Sequence, residues 1–440
     1  MKIVYLVAGA GGMYCGACLH GNTLAAAVHQ AGHEVLVAPA YTPVLTDEEA
    51  APAGKIFFGG INVYLQQKWS LFRRMPWRID RLLDQPGLLR WIGKFGPSTR
   101  PEELGALAVS MLRGQEGRQR KELDKLLAWL EGKVRPDVVH LSTVMLAGVA
   151  GEIVRRLEAR VVGTLAGEDL FIEQMPEPHR AEARALLAKR CAQLTALVAL
   201  NDYYAEFMAG YLGLGRERIR VIRPGVNLSG HRSPGELRPS GPATHRASGK
   251  VTIGYLARVC PEKGLHLLAE AFDLLAHDDR LPPTRLVAAG YLSPADRPYL
   301  AAIQNQLDER GLADRFQYAG AVDRAAKIAL LDTFDVMCVP TVYPESKGLS
   351  VLEAWANGVP VVLPDHGAFP EMIADTGGGL LARPRDAGAL ADALRRLILD
   401  PQQAAECGRR AQQAVHQRYH AERMAQETVA LYETLLGEMG

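Results

Sequence analysis

Four charged side chains stand at two places where an apolar run gives way to a helical pattern. In GYLARVCPEKGLHLLAEAF the run ends at Ala257, and Arg258 and Lys263 occupy the short connection. A helix is predicted from about Gly264, with Leu265, Leu268, Phe272 and Leu275 on its buried face. Two cations beside the positive end of a helix make an anion site, and a diphosphate is its natural occupant. In TVYPESKGLSVLEAWANGVPVVLPDHGAFPEMI the run ends near Pro340 and Glu345 lies in the connection. A helix predicted from Leu349 carries Glu353 one turn in and stops at Gly358. Carboxylates accept hydrogen bonds from hydroxyls, so this pair suits a ligand with two sets of them, a sugar and a ribose. The backbone amides of Leu349 and Ser350, following Gly348, are placed to hold phosphate.

Elements of one kind must carry these turns. Apolar runs alternate with helical patterns: KIVYLVA, EVLVAP, DVVHL, RVVGTLA and ALVAL, then VTIGYLA, RLVAAG, RFQYAG, DVMCVP and VPVVLP. Continuous apolar runs flanked by helices predict parallel strands buried on both faces, the pattern of doubly wound α/β sheets. SGHRSPGELRPSGPATHRASGK is rich in Pro, Gly and Ser and reads as a linker. The expected organisation is an N-terminal domain over 1–228, a linker over 229–249 and a C-terminal domain over 250–418. Residues 419–440 read as a helix with Met424, Leu431 and Leu435 on one face. That helix either completes the second domain or crosses back onto the first.

The whole chain bounds the function. Its 440 residues suit two or three domains, and its net charge of +1 gives no global bias toward nucleic acid. The opening MKIVYLVAGA has too short an apolar run for a signal peptide, and no stretch supplies the roughly 20 apolar residues of a membrane span. The expected location is the cytoplasm. Six cysteines in such a length do not make a disulfide framework, and Cys191 and Cys338 are expected to be buried thiols. Residues 55–135 break the alternation. They hold sixteen Lys and Arg against eight Asp and Glu, with Trp69, Phe72, Trp77, Trp91 and Phe95 among them. The segment reads as a solvated insertion, or as one that shapes an acceptor site or meets a membrane surface. Its Leu123, Leu126, Leu127 and Leu130 form a stripe expected in the core.

Taken together these motifs resemble the retaining GT-B-fold glycosyltransferases of family 4, the group 1 glycosyl transferases. The resemblance rests on the Glu-x7-Glu pair Glu345 and Glu353, on Arg258 and Lys263, on RIRVIRPGVN, on GEDLF at Gly167–Phe171 and on AGHEVLV at Ala31–Val37. It covers nearly the whole chain apart from the basic segment. It implies two Rossmann-like domains facing across a cleft, and a metal-independent, hexosyl-transferring enzyme with no cofactor beyond its sugar-nucleotide donor, most often a UDP-sugar. By the same resemblance Arg258 and Lys263 neutralise the diphosphate, Glu345 holds the donor sugar and Glu353 holds the ribose. Gly348, Leu349 and Ser350 complete the donor site, with Gly16 from the first domain. The acceptor side would include His20, His140, Glu168 and Asp169. Two departures stand out: His140 is followed by Leu141 and Ser142 where a second His is common, and Ala166 stands where a His often precedes Gly-Glu-Asp. They keep open a sugar-nucleotide epimerase, a glycoside phosphorylase or a sugar-nucleotide binder without catalysis on the same scaffold.

GAGGMYCGACLHGN, Gly9–Asn22, joins a glycine-rich turn to a Cys-x-x-Cys. The family register places Gly16 at the start of the donor-facing helix and makes Gly11-Gly12 an extended turn. Cys15 and Cys18 then read as small residues packed where backbone approaches ligand. A thiol-disulfide pair at a helix start is a second reading, and a metal site with His20 is a third, which lacks a fourth ligand at close range. On the packing reading, a Cys15→Ser, Cys18→Ser protein keeps its turnover. Loss of turnover in a folded double variant would falsify that reading.

Overall fold

The computed structural model describes residues 1–9, 16–40, 46–48, 101–236 and 249–438. Cys15, the Gly11-Gly12 turn, the aromatic stretch Lys68–Phe95 and most of the expected linker lie outside them. The chain forms two compact units, Met1–Arg223 with Glu422–Gly440, and Pro224–Ala421.

In the first unit β1 (Lys2–Val7), β2 (Glu34–Pro39), β3 (Val138–Leu141), β4 (Arg160–Thr164), β5 (Ala196–Ala199) and β6 (Ile219–Val221) form a sheet in the order β2-β1-β3-β4-β5-β6. Every pairing is parallel. Helix α1 (Gly16–Gln30) follows β1. Between β2 and β3 run α2 (Pro101–Leu112) and α3 (Arg120–Trp129). After β3 come α4 (Ala150–Leu157), α5 (Glu168–Glu173), α6 (His179–Cys191) and α7 (Asp202–Leu212). The expected leucine stripe is buried: Leu123, Leu126, Leu127 and Leu130 all belong to the core beside β3 and β4. Of the segment expected as a solvated insertion, residues 105–134 pack an apolar face into the domain core, where Val109, Met111 and Leu112 of α2 join the leucine stripe, while Arg113, Arg118 and Arg120 stay exposed.

In the second unit β7 (Val251–Leu256), β8 (Thr284–Ala289), β9 (Phe316–Tyr318), β10 (Val336–Cys338), β11 (Val361–Pro364) and β12 (Gly379–Ala382) are ordered β12-β11-β10-β7-β8-β9, again all parallel. The connecting helices are α8 (Leu265–Ala276), α9 (Arg297–Glu309), α10 (Arg324–Asp332), α11 (Leu349–Ala356) and α12 (Phe369–Thr376). Helices α13 (Ala387–Leu399) and α14 (Pro401–Arg418) close the unit. All six residues of β7 are buried, as the continuous apolar run requires of a central strand. The sequence pattern missed β6 and β12. Both are edge strands, short and mixed in character: Ile-Arg-Val in one, Gly-Leu-Leu-Ala in the other. Cys191 and Cys338 are fully buried, as expected.

The last helix, α15 (Ala421–Gly437), returns to the first unit. Its Tyr432 is 1% exposed, and the hydroxyl lies 2.5 Å from His140 Nδ1 on β3. Arg423 donates to the Arg223 carbonyl at the point where the chain leaves that unit. No described helix is long and apolar enough to cross a membrane. Tyr432→Phe leaves a buried imidazole nitrogen without its partner and is expected to cost about 1–3 kcal/mol. Urea unfolding reads this as a lower midpoint; an unchanged midpoint would show that the hydroxyl does not anchor the helix.

Candidate functional site

A doubly wound sheet binds ligands where its strand order reverses, at the carboxyl ends of the two strands flanking that point. In the second unit those strands are β7 and β10. The loop after β7 carries Arg258 and Lys263, and the loop after β10 carries Glu345. The topology therefore brings together residues that the sequence separates by about eighty positions.

Backbone contacts lock the two loops to each other. The Val342 amide donates to the Glu262 carbonyl at 2.9 Å. Gly264 sits at φ +74°, and a Cβ there would fall 1.9 Å from the Pro340 carbonyl oxygen. Only glycine permits both that conformation and that approach. The Ala368 amide, beyond β11, donates to the Glu345 carbonyl at 2.8 Å. Three strand ends thus fix one carboxylate.

That carboxylate is paired. Lys263 Nζ lies 2.5 Å from Glu345 Oε2, with their side chains 20% and 9% exposed. The Tyr343 hydroxyl donates to the same oxygen at 3.1 Å, and the Lys263 ammonium stands 5.0 Å from the Tyr343 ring centre. Oε1 receives the amides of Ser346 and Lys347 at 3.2 and 3.3 Å. Burial pulls against the charge on both partners. It would raise Glu345, but the Lys263 charge and hydrogen bond outweigh it and hold the carboxyl down at about 2. Burial would likewise lower Lys263, and the Glu345 charge leaves its pKa raised above the usual 10.5. Arg258 is exposed on the same loop.

Glu353, in the second turn of α11, is 7% exposed and has a partner the sequence pattern did not reveal. Lys327 of α10, itself 6% exposed, donates to Glu353 Oε1. The other oxygen, Oε2, has no hydrogen-bond partner among the described residues.

Helix α11 begins at Gly348, in the left-handed region at φ +67°, without a side-chain cap. The amides of Leu349 and Ser350 find no acceptor among the described residues. In the same unit Asp323, Asp386 and Asp400 cap the helices they precede, while α8, α9 and α12, like α11, begin without a side-chain cap. An uncapped helix start three residues after Glu345, the partner of Lys263, can accept an anion. The start of α8 differs from its sequence expectation. Tyr299 of α9 covers it, accepting the His266 amide at 3.0 Å, so its two cations act without the helix's own amide there.

The remaining sequence-predicted residues belong to the first unit. Gly16 opens α1, and His20, one turn on, is 5% exposed. His140 is 1% exposed, with its Nε2 2.7 Å from the Thr164 hydroxyl, and burial followed by the charge of His20 lowers it to about 3. Glu168 takes the Thr143 hydroxyl at 2.5 Å and the amides of Val144 and Ala166 at 3.2 and 2.8 Å. Asp169 takes the Tyr204 hydroxyl at 2.6 Å. Glu168 braces the loops after β3 and β4, His140 joins β3 to the end of β4 and to α15, and Asp169 ties α5 to α7.

The chain matches the family model of the glycosyl transferases group 1 over residues 242–414 and that of glycosyltransferase family 4 over residues 95–229. It is 26% identical over 322 residues to the D-inositol 3-phosphate glycosyltransferase of Nocardia farcinica, which covers 71% of this chain and 66% of that relative. Sucrose-phosphate synthase from Thermosynechococcus elongatus shares the fold with a TM-score of 0.71 at 18% identity, over 100% of both chains. So does Anabaena HepE, solved in complex with UDP, at a TM-score of 0.68 and 19% identity over 99% and 100%. The fold of these neighbours is GT-B.

Lys263→Met leaves Glu345 buried without its cation and is expected to destabilise the protein by about 3 kcal/mol at pH 8. The carboxyl is held below its ordinary 4.5, so in the native protein the pair contributes fully above pH 4.5 and is lost only as pH falls toward about 2. In the variant Glu345 can take up a proton instead. The stability gap measured by urea unfolding should therefore narrow between pH 8 and pH 5; a gap independent of pH would contradict the pairing.

Proposed function

We propose, for a chain that belongs to the group 1 glycosyltransferases, that it moves a hexosyl group from a nucleoside-diphosphate sugar to an acceptor hydroxyl, with UDP as the nucleotide and the anomeric configuration retained. The observation that carries the donor reading is the uncapped start of α11 three residues after Glu345, the partner of Lys263, at the strand-order reversal of the second unit. The UDP held by the Anabaena neighbour supports uridine as the base.

On this reading the diphosphate lies against the Leu349 and Ser350 amides, with Arg258 and Lys263 meeting its charge. Glu353 Oε2 accepts from the ribose hydroxyls. Glu345 orients Lys263 and accepts from the donor sugar. During transfer the bond from the anomeric carbon to the β-phosphate oxygen breaks. The acceptor oxygen bonds to that carbon on the same face, and its proton passes to the departing phosphate. Negative charge grows on the leaving diphosphate, where positioned cations and amides act most strongly. No protein nucleophile and no metal ion is assigned a step. The acceptor enters only as a hydroxyl.

Thermal unfolding with a panel of nucleoside diphosphates tests the donor site. UDP at about 100 times its dissociation constant adds roughly 2.7 kcal/mol, a shift that Glu353→Ala should abolish. Arg258→Ala is expected to lower kcat about 100-fold in a folded protein. Unchanged turnover in that variant would remove Arg258 from the mechanism.

A further inference from the structure

We infer that Lys327 is a positioning residue for donor recognition: it fixes the Glu353 carboxylate so that the chain distinguishes a ribonucleotide from its 2′-deoxy counterpart. The inference rests on the donor reading above, in which Glu353 meets the ribose.

Helix α10 is the crossover that carries the chain from edge strand β9 back to β10, and so creates the strand-order reversal. Lys327 lies one turn into it, just after the Asp323 cap. Glu353 lies on α11, the helix that follows β10. The ion pair thus ties the crossover to the helix whose start faces the site. Its members are 6% and 7% exposed, and desolvating two charges is costly enough that an apolar pair of similar volume commonly serves stability as well or better. A purely structural role is a weak reason for these residue types.

The division of the carboxylate supplies a stronger reason. Lys327 occupies Oε1, and Oε2 is left without a partner among the described residues. Oε2 is also absent from the buried polar atoms that lack a partner, so it is open to solvent and to a ligand. A carboxylate hanging from two flexible torsions would sample several orientations. One oxygen held by a buried ammonium leaves the other pointing one way. A ribose diol donating to a fixed, charged acceptor gains a strong hydrogen bond, and a ligand that lacks the hydroxyl leaves that acceptor unpaired. Selectivity of this kind depends on the acceptor staying in place, and Lys327 holds it there.

The test compares the affinities of UDP and 2′-deoxy-UDP by calorimetry, in the full chain and in Lys327→Met, Lys327→Arg and Glu353→Gln. The native protein is expected to prefer UDP by about tenfold or more. Lys327→Met should reduce that preference to about twofold, mainly by weakening UDP, whereas Lys327→Arg should restore most of it. Should Lys327→Met fail to fold, Lys327→Gln carries the same expectation. A folded Lys327→Met or Lys327→Gln protein with the native preference would overturn the inference, even if its melting temperature fell. If Glu353→Gln removes the preference in that case, the donor reading stands and only the role of Lys327 fails. If Glu353→Gln also keeps the native preference, or the native protein does not bind UDP, the donor reading fails and the inference falls with it.

Discussion

The ion pair between Lys263 and Glu345 is the contact on which the second unit's chemistry depends. It joins the loops after β7 and β10, the two strands that become neighbours only because the chain crosses over between β9 and β10. The pair needs close backbone approach, which Gly264 allows, and a carboxylate fixed from several sides, which Tyr343 and the Ser346 and Lys347 amides provide. A lone buried charge of either sign would shed its proton or take one up. Each partner keeps the other charged, and an uncapped helix start follows three residues after Glu345.

The candidate site residues of the two units differ in how their hydrogen bonds are met. In the first, His140, Glu168 and Asp169 have their hydrogen bonds satisfied by neighbours on the same unit, with the returning Tyr432 among them. In the second, Glu353 Oε2 and the Leu349 and Ser350 amides are left open. Unsatisfied groups at a strand-end cleft are what a ligand can complete, whereas satisfied ones mainly stabilise the loops that hold them.

Much of this was legible in the sequence because the central strands are continuous apolar runs and the turns after them carry charge. Ten of the twelve described strands coincide with such runs. Edge strands β6 and β12 did not show, since each is short and its apolar run is interrupted by Arg220 or opened by Gly379, whereas β2 and β9, also at edges, did. Glu345 and Glu353 stood out by their spacing. Lys327 did not, because its tie to Glu353 spans 26 positions and two helices. Nothing local in the sequence distinguishes such a lysine from a solvated one. Tyr343 was equally silent, although it lies two residues before Glu345. In residues 105–134 the leucine stripe was legible, but the charge of the segment hid the apolar face of α2, where Val109, Met111 and Leu112 join the same core.

Amide hydrogen exchange of the intact chain, with and without saturating UDP, reports whether the diphosphate meets the start of α11. New protection is expected at Leu349 and Ser350 and along the 258–264 loop, because the diphosphate would seal that helix start. Protection confined to the first unit, around α1, would contradict it.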